Sequence, residues 1–243
     1  MNDLKITVVF DHPDFVVINK PAGISVHKDT AEQGLVTLLK EQLGCEQLFL
    51  AHRLDQMTSG LLILAKHVES NRVLSQLFQQ RQISKYYIAL SNNKPKKKQG
   101  LIKGDMAKSR NGSWKLVKAN TNPAITQFFS WSIADQYADE FGELIALRFF
   151  LLKPHTGKTH QLRVALKSIG SPILGDERYY SDQKVTLTAD RGYLHAWRLV
   201  FHYQGECYDL QALPESGDLF IHLGFRTFLD SLGHPDQLTW PNL

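Results

Sequence analysis

Short apolar runs separated by turn residues recur along this chain, and they constrain its fold more than any other feature of the sequence. Runs of β-branched and aromatic residues bounded by turn signals predict strands. Apolar residues at three- and four-residue spacing predict helices. The predicted strands outnumber the predicted helices and do not alternate regularly with them. This arrangement predicts an α+β fold with a mixed, largely antiparallel sheet, in one domain over residues 1–243.

The individual elements follow from the same patterns. Strands are predicted over residues 6–10, 15–19, 60–66, 84–91, 126–133, 143–152, 194–203 and 206–213, with further strand segments joined by basic loops at 92–100 and 108–112. Thr30 and Gln33 form a capping box for a helix that ends at Gly44. Further helices are predicted over 67–80, over 159–169 with Thr159 as the N-cap, and over 217–232 in the C-terminal tail.

Composition limits the class of protein. Cys45 and Cys207 lie far apart and form no CxxC or zinc pattern, so we expect buried free thiols in a reducing compartment. The ten histidines show no paired-ligand spacing, which predicts no metal. The apolar run at residues 6–10 is too short for a signal peptide, and no run is long enough to span a membrane. We expect a cytoplasmic monomer.

Positive charge is concentrated in one part of the chain. Residues 81–118 contain eleven Lys and Arg side chains and one acid, Asp105, so this segment carries +10. The whole chain carries +4, so the remainder carries −6. A protein with its positive charge in one stretch has a preferred surface for phosphates. A solvated basic loop would have the same composition, so charge alone leaves both interpretations open.

The first candidate for chemistry is the segment HRLD at residues 52–55, followed by TSG at 58–60 and a predicted buried strand. His52, Arg53 and Asp55 therefore lie in a loop that enters a rigid element, which is where functional side chains are commonly held. The alternative interpretation is that Asp55 caps a turn and pairs with Arg53.

A second candidate is the segment KPHTGKTHQLR at residues 153–163, which places cations and threonines at a predicted helix start. Backbone N–H groups and the helix dipole favour anions there. Thr159 and Arg163 are four residues apart and would share a helix face, so both could point into one cleft. The GKT at 157–159 resembles the end of a P-loop, but Leu152 replaces the required glycine, which argues against nucleoside triphosphate binding.

The third candidate is the strand segment KYYIAL at residues 85–90. Alternate side chains of a strand face opposite sides, so only one of Tyr86 and Tyr87 can face a cleft. A tyrosine suits stacking on a nucleic acid base and hydrogen bonding beside it. Most such tyrosines serve only as core or rim residues.

Taken in order, these segments resemble the RluA-type pseudouridine synthases. HRLD with TSGLL at 58–62 is similar to that family's catalytic motif. The other matching blocks are VINKPAG at 17–23 with VH at 26–27, KYYIAL at 85–90, TGKTHQLR at 156–163, PILGD at 172–176 and LHA at 194–196. The resemblance extends from about residue 8 to residue 212. His52 favours this family over a related small-subunit branch, in which glycine tends to precede Arg-Leu-Asp.

The resemblance implies an RNA-modifying isomerase that needs no cofactor. Asp55 would be the catalytic carboxylate, with Tyr87, rather than Tyr86, and Arg163 as its active-site partners. Arg53 would hold RNA around the vacated uridine and Leu194 would pack against the base, with His52 and Thr159 as further substrate-binding candidates. The chain departs from the family pattern at residues 56–57, which are Gln-Met, a change that can alter RNA contacts. It also begins directly with the catalytic domain, so we expect this domain to bind RNA unaided, helped by the basic segment.

The implied reaction breaks the N1–C1′ bond of a uridine and joins C5 to C1′. A base inside a stacked helix is out of reach, so the nucleotide must be extracted into a central cleft, at a cost of about a few kcal/mol. A bidentate pair with Arg163 would orient the carboxylate of Asp55. Attack of Asp55 on C1′, attack on C6 and elimination through a glycal are all compatible with the sequence.

Two other functions stay open at this point. A non-catalytic RNA-binding protein could have kept the fold, and a hydrolase could use Asp55 with His52 on a small anionic substrate. The target RNA, ribosomal or transfer, is not encoded in these motifs, because RNA shape and loop contacts determine such specificity.

Overall fold

A computed structural model describes residues 5–26, 34–133, 147–180 and 189–243 of the chain. Within these residues the strands are β1 (Thr7–Asp11), β2 (Phe15–Lys20), β3 (Phe49–Leu50), β4 (Ser59–Ala65), β5 (Ser84–Ser91), β6 (Gln99–Lys108), β7 (Trp114–Val117), β8 (Ala124–Ile133), β9 (Leu147–Pro154), β10 (Leu194–Tyr203) and β11 (Glu206–Gln211). The helices are α1 (Leu35–Leu43), α2 (Val68–Gln79), α3 (Gln161–Ser168), α4 (Asp218–Ile221) and α5 (Leu223–Ser231).

The contacts group these elements into two compact units, each built from two stretches of chain. The first contains the described residues up to Lys85 together with His195–Pro214. The second contains the described residues of Tyr86–Leu194 together with Glu215–Leu243. The extent of a single catalytic domain over the whole chain stays a prediction.

The first unit is organised around β4. β2 pairs antiparallel with β4, from Phe15 opposite Ala65 to Lys20 opposite Gly60. β10 pairs in parallel with the first residues of β4, and β3 pairs antiparallel with its last residues. β1 pairs antiparallel with β2, and β11 pairs antiparallel with β10. Alternate side chains of β2, β4 and β10 share one face and form a core against Leu74 of α2.

The second unit has an antiparallel strand order β5–β9–β8–β6–β7. The phenyl rings of Phe225 and Phe228, on α5, pack against Phe149 of β9. Helix α3 packs against β7. β4 and β10 pair in parallel, whereas the other strand pairs named above are antiparallel. The predicted α+β class with a mixed, largely antiparallel sheet is therefore confirmed.

The structure corrects two helix predictions. Thr159 is not an N-cap, because α3 starts at Gln161 and His160 precedes it with a left-handed φ of 56°. Thr159 and Arg163 therefore do not share a helix face: Thr159 is exposed in the preceding loop, whereas Arg163 is buried in the first turn. The tail helix is interrupted at His222, whose backbone is extended, and forms α4 and α5 instead. The capping box at Thr30 and Gln33 and the predicted strand start at 143 lie outside the described residues.

Candidate active site

The loop that carries Asp55 enters β4 through a tight turn. The backbone N–H of Thr58 donates to the carbonyl of Asp55 at 3.0 Å, which closes the turn one residue before the strand begins. Thr58 and Ser59 are buried, Asp55 is half-buried and Arg53 is exposed. The turn therefore holds the Asp55 backbone just before the start of β4, which is a fully buried strand. Functional side chains are commonly held in this way, in a loop attached to a rigid element.

The residue after Asp55 is tied to a second turn, at residues 21–24. The carbonyl of Gln56 accepts a hydrogen bond from the N–H of Gly23 at 2.8 Å, and its side-chain Nε2 donates to the carbonyl of Gly23 at 2.9 Å. Gly23 has a φ of 85°, a conformation that glycine adopts without steric cost. This pair of bonds joins the residue after Asp55 to the turn at residues 21–24.

Lys20 lies beneath these two turns and is fully buried. Its ammonium group donates to the carbonyls of Pro21 at 2.8 Å, Ile24 at 2.9 Å and Gln56 at 3.3 Å. A buried cation is tolerated only when its hydrogen bonds are satisfied. Lys20 therefore joins the end of β2 to the residue that follows Asp55. Lysine side chains are usually exposed, so the sequence alone did not indicate this role.

His52 restrains the other end of the same loop. Its Nε2 accepts a hydrogen bond from the N–H of Ile63 at 3.0 Å, and its ring stacks on Phe78 at 4.1 Å. Burial, followed by the charge of Lys85, lowers the pKa of His52 to about 3. The imidazole is therefore neutral near neutral pH and holds the loop to β4, while a contact with RNA would have to use its Nδ1 edge.

A buried hydrogen-bond chain fixes the start of β4 beside β10. The carbonyl of Ala212 can only accept, so Nε2 of His195 donates to it, at 2.8 Å. Nδ1 of His195 then accepts from the hydroxyl of Ser59, at 2.7 Å. Gly60 comes so close to β10 that a Cβ would lie 2.2 Å from the carbonyl oxygen of Ala196. The strand that follows Asp55 is thus held by hydrogen bonds and by close backbone contact.

Tyr86 and Tyr87 are neighbours on β5 and are both buried, with 0% and 8% of their surfaces exposed. The hydroxyl of Tyr86 donates to the carboxylate of Asp236 in the tail, and its ring lies beneath the ammonium of Lys153. Tyr86 is therefore a structural residue. Since alternate residues of a strand face opposite sides, Tyr87 points away from this contact, and its place in the active site stays a prediction.

The segment before α3 is held to β8 by one amide side chain, that of Gln161. Its Oε1 accepts from the hydroxyl of Thr156 at 2.7 Å and from the N–H of Lys158 at 3.0 Å. Its Nε2 donates to the carbonyl of Ile125 at 3.1 Å and to the hydroxyl of Thr126 at 2.9 Å. Gln161 therefore uses both ends of its amide, so the position of α3 and of Arg163 is defined by β8.

Arg163 is 7% exposed and forms a bidentate ion pair with Asp176, which is fully buried. Nε donates to Oδ2 at 2.7 Å and Nη2 donates to Oδ1 at 2.8 Å. This pair uses the edge of the guanidinium formed by Nε and Nη2, and the interaction of Arg163 with Asp55 stays a prediction. The Asp176 carboxylate also accepts from the backbone N–H groups of Arg178 and Tyr179, at 3.1 and 3.2 Å.

Leu194 is the first residue of β10 and is 3% exposed. Its carbonyl accepts from Nη2 of Arg191 at 3.4 Å, and its N–H donates to the carbonyl of Gly192 at 3.1 Å. The backbone of Leu194 is therefore fixed by the preceding loop and its side chain is apolar and buried, while its packing against a base stays a prediction.

The predicted site residues fall into both units. Asp55, Arg53 and His52 belong to the first, while Tyr87, Thr159, Arg163 and Leu194 belong to the second. Reasoning from the sequence missed the supporting residues Lys20, His195, Gln161 and Asp176. Each of them lies in a segment that matched the family, which was the signal available, but the role of each depends on a partner distant in sequence.

In the described part of the chain no group of three or more His, Cys, Asp or Glu residues is placed to hold a metal ion, and no helix has the length and apolar character needed to cross a membrane.

Comparison with known proteins assigns the chain to a family. The family model for RNA pseudouridylate synthases matches residues 14–168. An RNA pseudouridine synthase of Haemophilus influenzae is 53% identical over 218 residues, which cover 90% of this chain and 92% of that protein. Ribosomal large subunit pseudouridine synthase D of Borreliella burgdorferi is 33% identical over 82% of this chain, and synthase C of Rickettsia bellii is 30% identical over 79%. This chain covers only 61% and 62% of the lengths of those two relatives.

Solved structures agree at the level of the fold. Human RNA pseudouridylate synthase domain containing 1 superposes with a TM-score of 0.74 over 97% of this chain at 21% identity. Human RNA pseudouridylate synthase domain containing 4 gives 0.67 over 90% at 25% identity. The matched family segment includes Asp55, Tyr87 and Arg163, so the resemblance seen in the sequence is confirmed, and the chain belongs to the RNA pseudouridylate synthase family, whose members isomerise uridine to pseudouridine in RNA.

Proposed function

We propose that this protein isomerises one or more uridines of ribosomal RNA, with Asp55 as the catalytic carboxylate. The observation that carries the assignment to Asp55 is its loop, which is restrained on both sides of the residue by Thr58, Gln56 and His52. A carboxylate whose backbone is fixed in this way can meet a reacting atom without losing further conformational freedom. The relatives named for the ribosomal large subunit support the choice of ribosomal RNA.

The roles of the other residues belong to the same proposal. Tyr87 would stack on the uracil or assist removal of the C5 proton, and Arg163 would orient the carboxylate of Asp55. Arg53, which is exposed, would contact RNA around the vacated position, and Leu194 would pack against the base. Thr159 is exposed and would contact RNA through its hydroxyl. A target in ribosomal RNA implies a cytoplasmic enzyme, and we expect it to act as a monomer on a uridine extracted into a central cleft, without a cofactor.

The low pKa of His52 argues against the rival hydrolase. A general base must accept a proton near neutral pH, whereas burial of His52 lowers its pKa to about 3. Its Nε2 is also already an acceptor for the N–H of Ile63. His52 therefore lacks the basicity that this mechanism requires, and its Nε2 is already in use.

The proposal is tested by mapping pseudouridines in ribosomal and transfer RNA from a strain that lacks the gene. The strain is then complemented with the wild type, with Asp55→Asn, or with Asp230→Asn, which changes an exposed carboxylate on α5. We expect one or more ribosomal sites to disappear, and we expect the wild type and Asp230→Asn to restore them while Asp55→Asn does not. Restoration by Asp55→Asn would refute the catalytic role, and a lost site in transfer RNA would refute the substrate.

A further inference from the structure

The strongly basic segment identified in the sequence forms a defined surface feature, which we call the basic arm and define as residues 99–118. It consists of β6, a short turn at Arg110–Gly112 and β7, joined antiparallel with Ala107 opposite Lys115. Its basic side chains are all exposed: Lys103, Lys108, Arg110, Lys115 and Lys118. The loop before it adds four more exposed lysines, Lys94, Lys96, Lys97 and Lys98.

Strand alternation places two of these cations on one face of the arm. Lys103, Asp105 and Ala107 alternate along β6 and share a face. Ala107 pairs directly with Lys115, so Lys115 lies on that same face. The single acid of the arm, Asp105, is engaged by the segment that follows the arm, since its carboxylate accepts from the N–H groups of Thr121 and Asn122 at 3.1 and 3.0 Å. The exposed lysines are thus not paired with this acid.

The turn end of the arm is attached to the segment that holds Arg163. The hydroxyl of Tyr179 accepts from the N–H of Trp114, the first residue of β7, at 2.8 Å, and it lies 2.9 Å from Nδ1 of His160. Arg178 donates to the carbonyl of Asn111 in the turn of the arm. Tyr179 is 1% exposed, and its ring lies 5.0 Å from the guanidinium of Arg163. A continuous set of contacts therefore runs from the arm through Tyr179 to Arg163.

We propose that the basic arm is a docking surface for RNA phosphates and that Tyr179 is a positioning residue which holds the arm in register with Arg163. The proposal deepens the proposed function, on which it rests for the identity of the partner as RNA. Exposed lysines spaced along a rigid strand pair match a phosphate backbone, which supplies much of RNA affinity without reading sequence. The arm would bind RNA of many sequences, while the chemistry at Asp55 selects uridine.

The docking role is tested with a charge-matched pair of variants. Lys103→Gln/Lys115→Gln removes two charges from one face of the arm, and Lys5→Gln/Arg72→Gln removes two exposed charges from the first unit. Binding of a fluorescently labelled RNA stem-loop is measured by anisotropy across a salt series. We expect the arm variant to bind more weakly and its salt slope to fall by roughly 0.7 to 0.9 for each lost contact, while the control keeps the wild-type slope.

The positioning role is tested with Tyr179→Phe, which keeps the ring beside Arg163 and removes the hydroxyl. We expect faster hydrogen exchange at the Trp114 amide and RNA affinity reduced by roughly two- to tenfold, the equivalent of one lost hydrogen bond. Turnover at saturating RNA should stay at the wild-type value, whereas a general loss of folding would lower it. Hydrogen exchange at the Trp114 amide and RNA affinity that both stay at the wild-type values would contradict the positioning role.

The two proposals fail in different ways. If both double variants lose affinity equally, or neither does, the docking surface is refuted even when the wild type makes pseudouridine. If the wild type makes none but the arm variant alone weakens binding, the docking surface stands and the catalytic proposal fails.

Discussion

At the scale of single residues, the charged and polar groups near Asp55 and Arg163 mainly position the loop and the helix that carry them. His52 is the clearest example, because an imidazole three residues from a carboxylate suggests acid–base chemistry in the sequence. In the structure its Nε2 accepts from Ile63, and burial keeps the ring neutral. Its partners are a backbone group eleven residues away and the ring of Phe78. Sequence spacing cannot reveal such partners, whereas the motif itself identified Asp55 as the candidate.

Asp176 has the corresponding role for Arg163, and its removal should be costly. Asp176→Asn leaves a buried guanidinium without its carboxylate, so we expect a loss of about 3–5 kcal/mol in the free energy of unfolding. Urea denaturation measures this loss. The matched control is Asp209→Asn, because Arg198 and Asp209 form a bidentate pair of similar geometry, at 2.6 and 2.7 Å, on the surface. That change should cost at most about 1 kcal/mol. Equal effects at the two positions would show that Asp176 is not the essential counter-ion of Arg163.

At the scale of elements, the strands were more predictable than the helices. The buried strand expected at 60–66 is β4 at Ser59–Ala65, and β5 occupies the predicted residues 84–91. Alternating and continuous apolar runs define strands locally, so their bounds differ from prediction by only one or two residues. The predicted start of α3 at residue 159 was wrong, because the observed start depends on the left-handed backbone of His160 and on the contacts of Gln161 with β8. Both are consequences of tertiary structure.

The contact between β4 and β10 gives a sharp prediction at this scale. Gly60 has a φ of 106°, and a Cβ there would lie 2.2 Å from the carbonyl oxygen of Ala196. Gly60→Ala should therefore separate the two strands and destabilise the protein by more than the roughly 1–2 kcal/mol cost of a left-handed alanine. Gly44→Ala provides the control, since Gly44 has a φ of 63° but nothing within 4 Å of a Cβ. Thermal melting of both variants separates the steric effect from the backbone effect. Similar melting temperatures would contradict the close approach.

At the scale of the whole molecule, the family motifs account for the residues proposed for chemistry but not for the C-terminal tail. The family model ends at residue 168, whereas the tail beyond 214 belongs to the second unit. Its helical character was predicted from apolar spacing, but its packing was not. The ring centroids of Trp240 and Phe129 lie 4.9 Å apart, and the carboxylate of Asp236 accepts a hydrogen bond from the hydroxyl of Tyr86. The tail therefore packs against strands that lie more than one hundred residues earlier. No local pattern encodes such pairings.

Removal of residues 234–243 tests what this tail contributes. The truncation uncovers Tyr86 and Phe129 and removes the ring of Trp240, so we expect a loss on the order of 3 kcal/mol and a melting temperature lower by roughly 6–12 °C. Removal of residues 242–243 alone, which are exposed, is the control and should change neither. Because Tyr87 faces away from the tail contact of Tyr86, turnover measured well below the melting temperature should be retained. A truncated protein that melts normally but makes no pseudouridine would instead place the tail in the reaction, since stability could not then explain the loss.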